Sequence, residues 1–265
     1  MLTKPRLILL DLDGTLYVDD TPVLGAIDCL AALRAQGMQL RFLTNTTTKS
    51  QQQLIHQLRV MGFALGDDEL ISAPVAARLA LQKLQQQTGK KLRIWPLVAD
   101  AIKPDFNDFE QDETQPDYVV LGDIGERWDL ALINRLFKVI HGGAELIALH
   151  KGRFWQTGDG LKADIGFFVA GLEYVCNKQA LIMGKPNRDF FQLILDSASI
   201  PATQTLMVGD DVDTDVGGAQ QLGMAGCLVK TGKFREAYFA QSGIKPDLLV
   251  DSVAQLAAMI ASLPD

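Results

Sequence analysis

Apolar residues along this chain gather in short runs that stop abruptly at polar residues of a particular kind. Leu7-Ile8-Leu9-Leu10 stops at Asp11, and Leu40-Arg41-Phe42-Leu43 at Thr44-Asn45. Thr205-Leu206-Met207-Val208 stops at Gly209-Asp210-Asp211, and Gly226-Cys227-Leu228-Val229 at Lys230-Thr231-Gly232. Such runs are the signature of strands buried on both faces. Between them the spacing becomes helical: Ile27, Leu30, Ala31 and Leu33 after Gly25, Leu54, Ile55, Leu58 and Met61 before Gly62, and Phe190, Phe191, Ile194 and Leu195 after Pro186. Strands alternating with helices predict a three-layer α/β core, a parallel sheet with helices on both faces. Ligands of such sheets bind beyond the carboxyl ends of the strands. The polar residues that end the runs fall there.

Spacing then predicts a second domain. Thr15 to Leu40 holds one turn and one helix. Asn45 to Gly184 spans about 140 residues, whereas one helix–strand unit takes roughly 30. The remainder, on the order of 100 residues, is a domain-sized insertion. The expected boundaries are 1–74 plus 184–265 for the core and 75–183 for the insertion. Within the insertion, Leu92–Trp95, Tyr118–Leu121, Leu146–Leu149 and Ala180–Met183 predict strands, and Leu130–Ile140 and Phe167–Cys176 predict helices. The polar stretch Gln85–Lys91 predicts a solvated helix end.

Composition narrows the class. With 48% hydrophobic and 22% charged residues the chain is globular rather than disordered. A net charge of −7 without a basic run argues against nucleic acid as a partner. Cys29, Cys176 and Cys227 are odd in number and unpaired in spacing, which predicts buried thiols in a reducing compartment. His56, His141 and His150 have no zinc-like spacing. The apolar run after Lys4 and Arg6 is too short for a leader or a membrane span, so a cytoplasmic location with no membrane partner is expected.

Asp11-Leu12-Asp13-Gly14-Thr15 is the chemical centre of the pattern. Two carboxylates at one sheet edge repel by about 3–4 kcal/mol at ~4.5 Å and an effective dielectric of ~20. A cation or a shared proton relieves that repulsion. An ordinary Asp-Gly turn explains the pentapeptide equally well on its own.

The distant pieces decide between the two. Asp11-x-Asp13-Gly14-Thr15, Thr44-Asn45, Gly184-Lys185-Pro186 and Gly209-Asp210-Asp211-x-x-x-Asp215 stand in the order and at the strand ends that resemble the haloacid dehalogenase (HAD) superfamily, within it the type IIA phosphatases. Arg41–Thr47, Leu149–Arg153 and Asp215–Gln220 strengthen the likeness, which covers essentially the whole chain. It implies a Rossmann-like core, an inserted α/β C2-type cap and a phosphatase acting on a small phosphorylated substrate. It also allows a homodimer through the cap.

Phosphoryl transfer needs an in-line nucleophile, neutralised phosphoryl oxygens and an acid for the leaving group. Asp11 is the candidate nucleophile, forming an aspartyl-phosphate. Asp13 is the candidate general acid and base. Thr44, Asn45 and Lys185 are candidates for holding phosphoryl oxygens. Asp11, Asp13, Asp210, Asp211 and Asp215 with Lys185 leave a formal −4, which a hard divalent cation would offset; Mg²⁺ fits best. Its expected ligands are Asp11, the Asp13 carbonyl and Asp210, with Asp211 and Asp215 behind them. Asp213 or Thr214 is expected to cap the helix that follows, and Gly217, Gly218 and Ala219 to let it approach the sheet. In the insertion, His150, Lys151, Arg153, Trp155 and Asp159 are candidates for substrate contact, or equally a solvated loop; Asp123, Glu126 and Arg127 stay open in the same way.

Of the alternatives, a dehalogenase would not need Asp13. Phosphonate hydrolases and phosphomutases carry an earlier cap, for which Thr15–Leu40 has no room. A non-catalytic phospho-ligand sensor or scaffold on the same fold is the remaining competitor.

Overall fold

The computed structural model of the protein describes residues 2–157 and 160–264. Its contacts divide it into two units. One holds residues 1–44, 52–71 and 185–265; the other holds 45–51 and 72–184.

The first unit begins with β1 (Leu7–Asp11), every residue of which is buried. The chain then turns through a small hairpin, β2 (Tyr17–Val18) and β3 (Thr21–Pro22), before α1 (Ala26–Ala35). β4 (Gln39–Thr44) lies parallel to β1, with Asp11 in register with Leu43. α2 (Gln51–Val60) and β5 (Leu70–Ser72) follow.

The second unit opens with α3 (Ala73–Thr88). The Ser72 hydroxyl caps it by accepting the Val75 N–H, Pro74 sits in its first turn, and Gly89 ends it at φ +65°. Next come β6 (Arg93–Leu97), β7 (Glu110–Gln111), β8 (Tyr118–Leu121), α4 (Leu130–His141) and β9 (Glu145–Ala148). An antiparallel hairpin, β10 (Phe154–Thr157) with β11 (Gly160–Ala163), leads to α5 (Gly166–Cys176) and β12 (Leu181–Ile182). The sheet runs β12-β9-β8-β6-β7, parallel throughout. Its core packs Trp95, Val119, Leu121 and Leu146 with Leu136 and Ile140 of α4 and Val169 and Leu172 of α5.

The chain returns to the first unit through α6 (Arg188–Ala198), β13 (Thr205–Gly209), a π-helical turn (Val212–Gly217) running into α7 (Gly218–Gln220), β14 (Ala225–Val229), α8 (Glu236–Ser242), β15 (Leu248–Val250) and α9 (Leu256–Ala261). The sheet order is β15-β14-β13-β1-β4-β5, and the β15-β14-β13-β1-β4 pairs are parallel. Ile8 and Leu10 on one face of β1 pack with Leu30 and Leu33 of α1 and Leu256 and Ile260 of α9. The period-2 alternation of a strand turns Leu7 and Leu9 to the other face. The order places β1 between β4 and β13, so the carboxyl ends of all three lie side by side. Cys29, Cys176 and Cys227 are buried free thiols. Among the described residues no helix is long and apolar enough to cross a membrane.

Candidate active site

The carboxyl edge of the first unit's sheet gathers most of the residues singled out above. Asp11 ends β1 and is buried. Thr44, also buried, ends β4 one residue beyond Leu43, the register partner of Asp11. Asn45 follows Thr44 in the chain and groups with the second unit. Asp210 follows β13, which pairs with the other side of β1. Lys185 is 5% exposed and grips two carboxylates, Asp11 Oδ1 at 2.5 Å and Asp215 Oδ1 at 2.7 Å. Asp13 stands apart: its side chain is exposed, one residue before the positive-φ Gly14.

Burial by itself would lower the Lys185 pKa, but the charges of Asp11 and Asp215 outweigh it and hold the ammonium above its ordinary value. Asp210 is pushed up by burial, then by Asp11 and Asp215. Asp215 is pushed up by burial, with Lys185 pulling the other way. Partial burial and then the Asp11 charge raise Asp13 as well, against the pull of Lys233. A carboxyl held up in this way suits proton donation.

The residues fit a divalent cation. One carboxylate oxygen each of Asp11, Asp210 and Asp215 lies within 4.8 Å of the others. Asp210 Oδ1 is buried and accepts a hydrogen bond from no described residue, a position that a cation satisfies and that is costly otherwise. Both oxygens of Asp215 are in use, Oδ1 on Lys185 and Oδ2 on the Asp211 N–H at 3.1 Å. Asp215 therefore orients the lysine and the turn.

Asp211, not Asp213 or Thr214, caps the π-helical turn. Its Oδ1 accepts the N–H groups of Asp213 (3.1 Å) and Thr214 (3.0 Å). The cap falls there because β13 runs straight into the turn, and Asp211 is the last residue with extended backbone. Gly217 and Gly218 allow close approach to loops rather than to the sheet as expected: a Cβ at Gly218 would come within 2.7 Å of Pro186, and one at Gly217 within 2.8 Å of Ile244.

Sequence reasoning passed over several contributors. Thr15 is fully buried and its hydroxyl lies 3.4 Å from Asp11 Oδ2. The loop after β14 supplies the Lys233 N–H to Asp210 Oδ2 at 2.6 Å and the Thr231 hydroxyl to the Gly14 carbonyl. The break of the fourth apolar run at Lys230-Thr231-Gly232 was the available signal.

In the second unit the loop after β9 is internally braced. His150 Nδ1 accepts the Gly152 N–H at 3.2 Å and lies 3.7 Å from Asp164. Lys151 reaches Glu173 at 2.5 Å, and the other Glu173 oxygen accepts the Ala180 N–H. Arg153 is exposed. Trp155 falls in β10 rather than in a loop, paired with Lys162 across the hairpin; its side chain and the whole of Asp159 lie outside the described residues. Asp123 and Arg127 hold local backbone, the former on the Gly125 N–H and the latter on the Val98 and Ile124 carbonyls, while Glu126 is exposed.

Known proteins resemble this chain along most of its length. A family model described as haloacid dehalogenase-like hydrolase matches residues 8–109, and one described as HAD-hydrolase-like matches 182–256. The chain is 39% identical to haloacid dehalogenase-like hydrolase domain-containing protein 2 of Bos taurus, over 88% of this chain and 86% of that one. It is 35% identical to human phospholysine phosphohistidine inorganic pyrophosphate phosphatase, over 98% and 96%. The crystal structure of a 4-nitrophenylphosphatase from Thermotoga maritima superposes with a TM-score of 0.87 at 26% identity, covering 97% of this chain and 98% of that one.

Proposed function

The chain belongs to the haloacid dehalogenase-like hydrolases and is a phosphatase; on that premise we propose that it is Mg²⁺-dependent and hydrolyses a small phosphate ester, phosphoramidate or pyrophosphate through an aspartyl-phosphate on Asp11. What carries the reading is the crowding of Asp11, Asp210 and Asp215 around the buried Lys185 at the carboxyl edge of the sheet.

Lys185 fixes Asp11 by its Oδ1. An Asp11 oxygen forms the new bond to phosphorus as the bond to the leaving oxygen breaks. Asp13, its pKa raised, gives its proton to that leaving oxygen. As a carboxylate it then takes a proton from the water that attacks the aspartyl-phosphate, which releases phosphate and restores Asp11. The Thr44 hydroxyl, the Asn45 N–H and the Lys185 ammonium hold phosphoryl oxygens. Asp11, the Asp13 carbonyl and Asp210 would hold Mg²⁺, which when bound supplies charge neutralisation for the phosphoryl group. We assign the choice of substrate to the inserted C2-type cap, taken as 75–183 between core segments 1–74 and 184–265.

Asp11→Asn keeps the shape and removes the nucleophile. Turnover of p-nitrophenyl phosphate with Mg²⁺ is expected to fall by at least about 10³-fold, with an unchanged circular dichroism spectrum. Undiminished turnover would exclude Asp11 as the nucleophile. A wild-type protein inert toward a broad phosphate panel would favour the phospho-ligand sensor instead.

A further inference from the structure

The two oxygens of Asp210 have different environments. Oδ2 accepts the backbone N–H of Lys233 at 2.6 Å, whereas Oδ1 is buried and takes no hydrogen bond from any described residue. A carboxylate pinned through one oxygen and bare at the other is already oriented for a further ligand. The pinning donor belongs to Thr231-Gly232-Lys233, the loop that follows β14.

That loop is anchored on the other side of the site. The Thr231 hydroxyl donates to the carbonyl of Gly14, in the turn between Asp13 and Thr15. Gly14 and Gly232 face each other at φ +81° and +55°. A Cβ on Gly232 would strike both the Gly14 Cα and the Asp210 carboxylate, and a Cβ on Gly14 would strike the same carboxylate. Both glycines are therefore required by close approach as well as by conformation. The Lys233 ammonium makes its ion pair with Asp211, at 3.8 Å on a side chain 72% exposed, and acts on Asp210 only through its charge.

We propose that Thr231-Gly232-Lys233 is a positioning loop for the cation site, with the Thr231 hydroxyl locking the loop onto the Gly14 turn and the Lys233 N–H holding Asp210 Oδ2 so that Oδ1 is the oxygen available to the metal. This rests on the reading of Asp210 as a Mg²⁺ ligand. The loop touches neither substrate nor reacting atoms and acts through Asp210. Groups that orient a metal ligand cost about 10–100-fold in metal affinity when removed.

The test is the Mg²⁺ dissociation constant of the full chain, taken from the rise of its melting temperature with Mg²⁺ concentration. Thr231→Val, which keeps shape and loses the hydroxyl, is expected to weaken Mg²⁺ about tenfold. Thr231→Ser, which keeps the hydroxyl, should stay within about twofold of wild type. Gly232→Ala drives a methyl into the Asp210 carboxylate and should weaken Mg²⁺ at least as much as Thr231→Val; if it fails to fold, the two Thr231 variants decide. Asp210→Asn serves as the reference. If it weakens Mg²⁺ while Thr231→Val does not, the loop has no positioning role. Equal losses in Thr231→Val and Thr231→Ser would also overturn the proposal, because packing rather than the hydroxyl would be responsible. If Asp210→Asn binds Mg²⁺ as wild type does, Asp210 is not a ligand, and the reading beneath the proposal fails with it.

Discussion

At the scale of single residues, Lys185 holds the site together. A lysine 4% exposed at its side chain, with two carboxylates within 2.7 Å, neutralises charges that water cannot reach. Lys185→Met keeps the length and strips the charge, leaving Asp11 and Asp215 facing each other. Breaking a buried pair in this way costs about 3–5 kcal/mol, to be read as a lower urea midpoint. Hydrolysis should fall by at least about 10²-fold, since a preorganised positive charge is lost with it. Adding Asp215→Asn to Lys185→Met should return part of the stability and none of the activity. Asp11, Asp13, Thr44, Lys185 and Asp210 were visible in the sequence because each carries a reactive side chain where an apolar run or a turn ends. Which carboxylate takes the ammonium was not visible, since it depends on a lysine and an aspartate 30 residues apart meeting a strand far away. The break at Lys230-Thr231-Gly232 marked the loop, but not that the Lys233 N–H would serve: every residue but proline carries an N–H, and only the fold selects one.

At the scale of elements, close approach and an ion pair each act on the packing of the first unit. Gly226 of β14 lies under the π-helical turn, where an added Cβ would come 2.6 Å from Val216. Gly226→Ala should force the turn away from the sheet and cost about 1–3 kcal/mol, measurable by urea denaturation. The turn begins next to Asp210 and Asp211, so a loss of Mg²⁺ affinity is expected with it. On the opposite edge, Arg34 of α1 makes a bidentate pair with Glu69 at 2.8 and 2.7 Å, and Glu69 also accepts the Gly66 N–H. Burial would raise the Glu69 pKa, but the hydrogen bonds from Arg34 and Gly66 prevail and lower it from its ordinary 4.5. A depressed carboxyl contributes stability that is complete above its unfolded-state value and is lost as pH falls through its folded-state value. Glu69→Gln should therefore cost about 1 kcal/mol at pH 7, discounted for the partly exposed arginine. The gap from wild type should close as pH drops below 4.5, the reverse of what a purely steric effect would give. Most of the long runs and helical periods were legible in the sequence, but the hairpin β10–β11 and the helices α8 and α9 were not read from it. β2, β3, β5, β7 and β15 were not, because two or three residues are too few to show a period. α3 was recognised only by its polar end, since its first turns, Ala73–Ala77, are uniformly apolar and small and display no face. The expected strand Ala180–Met183 is shorter than its apolar run, at Leu181–Ile182.

At the scale of the whole molecule, the acidic site sets stability against function. The chain carries a net −7, and three of its carboxylates cluster around one strand end. Asp11, Asp210 and Asp215 are buried, and burial together with the charge of Asp11 pushes Asp210 and Asp215 toward the protonated form. Such crowding is tolerated where function requires it, and it should be relieved in either of two ways. Saturating Mg²⁺, at 100 times its dissociation constant, should stabilise the chain by about 2.7 kcal/mol. For a protein of this size that is a rise in melting temperature of about 5–10 °C. Sodium chloride at matched ionic strength should give little of it, because screening hardly reaches buried charges. Chelation should reverse the rise and abolish hydrolysis of p-nitrophenyl phosphate, and added Mg²⁺ should restore both. Asp210→Asn leaves a neutral group that needs neither a proton nor a cation at that position. The metal-free variant should therefore melt above metal-free wild type, yet gain almost nothing from Mg²⁺ and turn over little substrate. A metal-free variant less stable than metal-free wild type would show that Asp210 serves the fold rather than the cation.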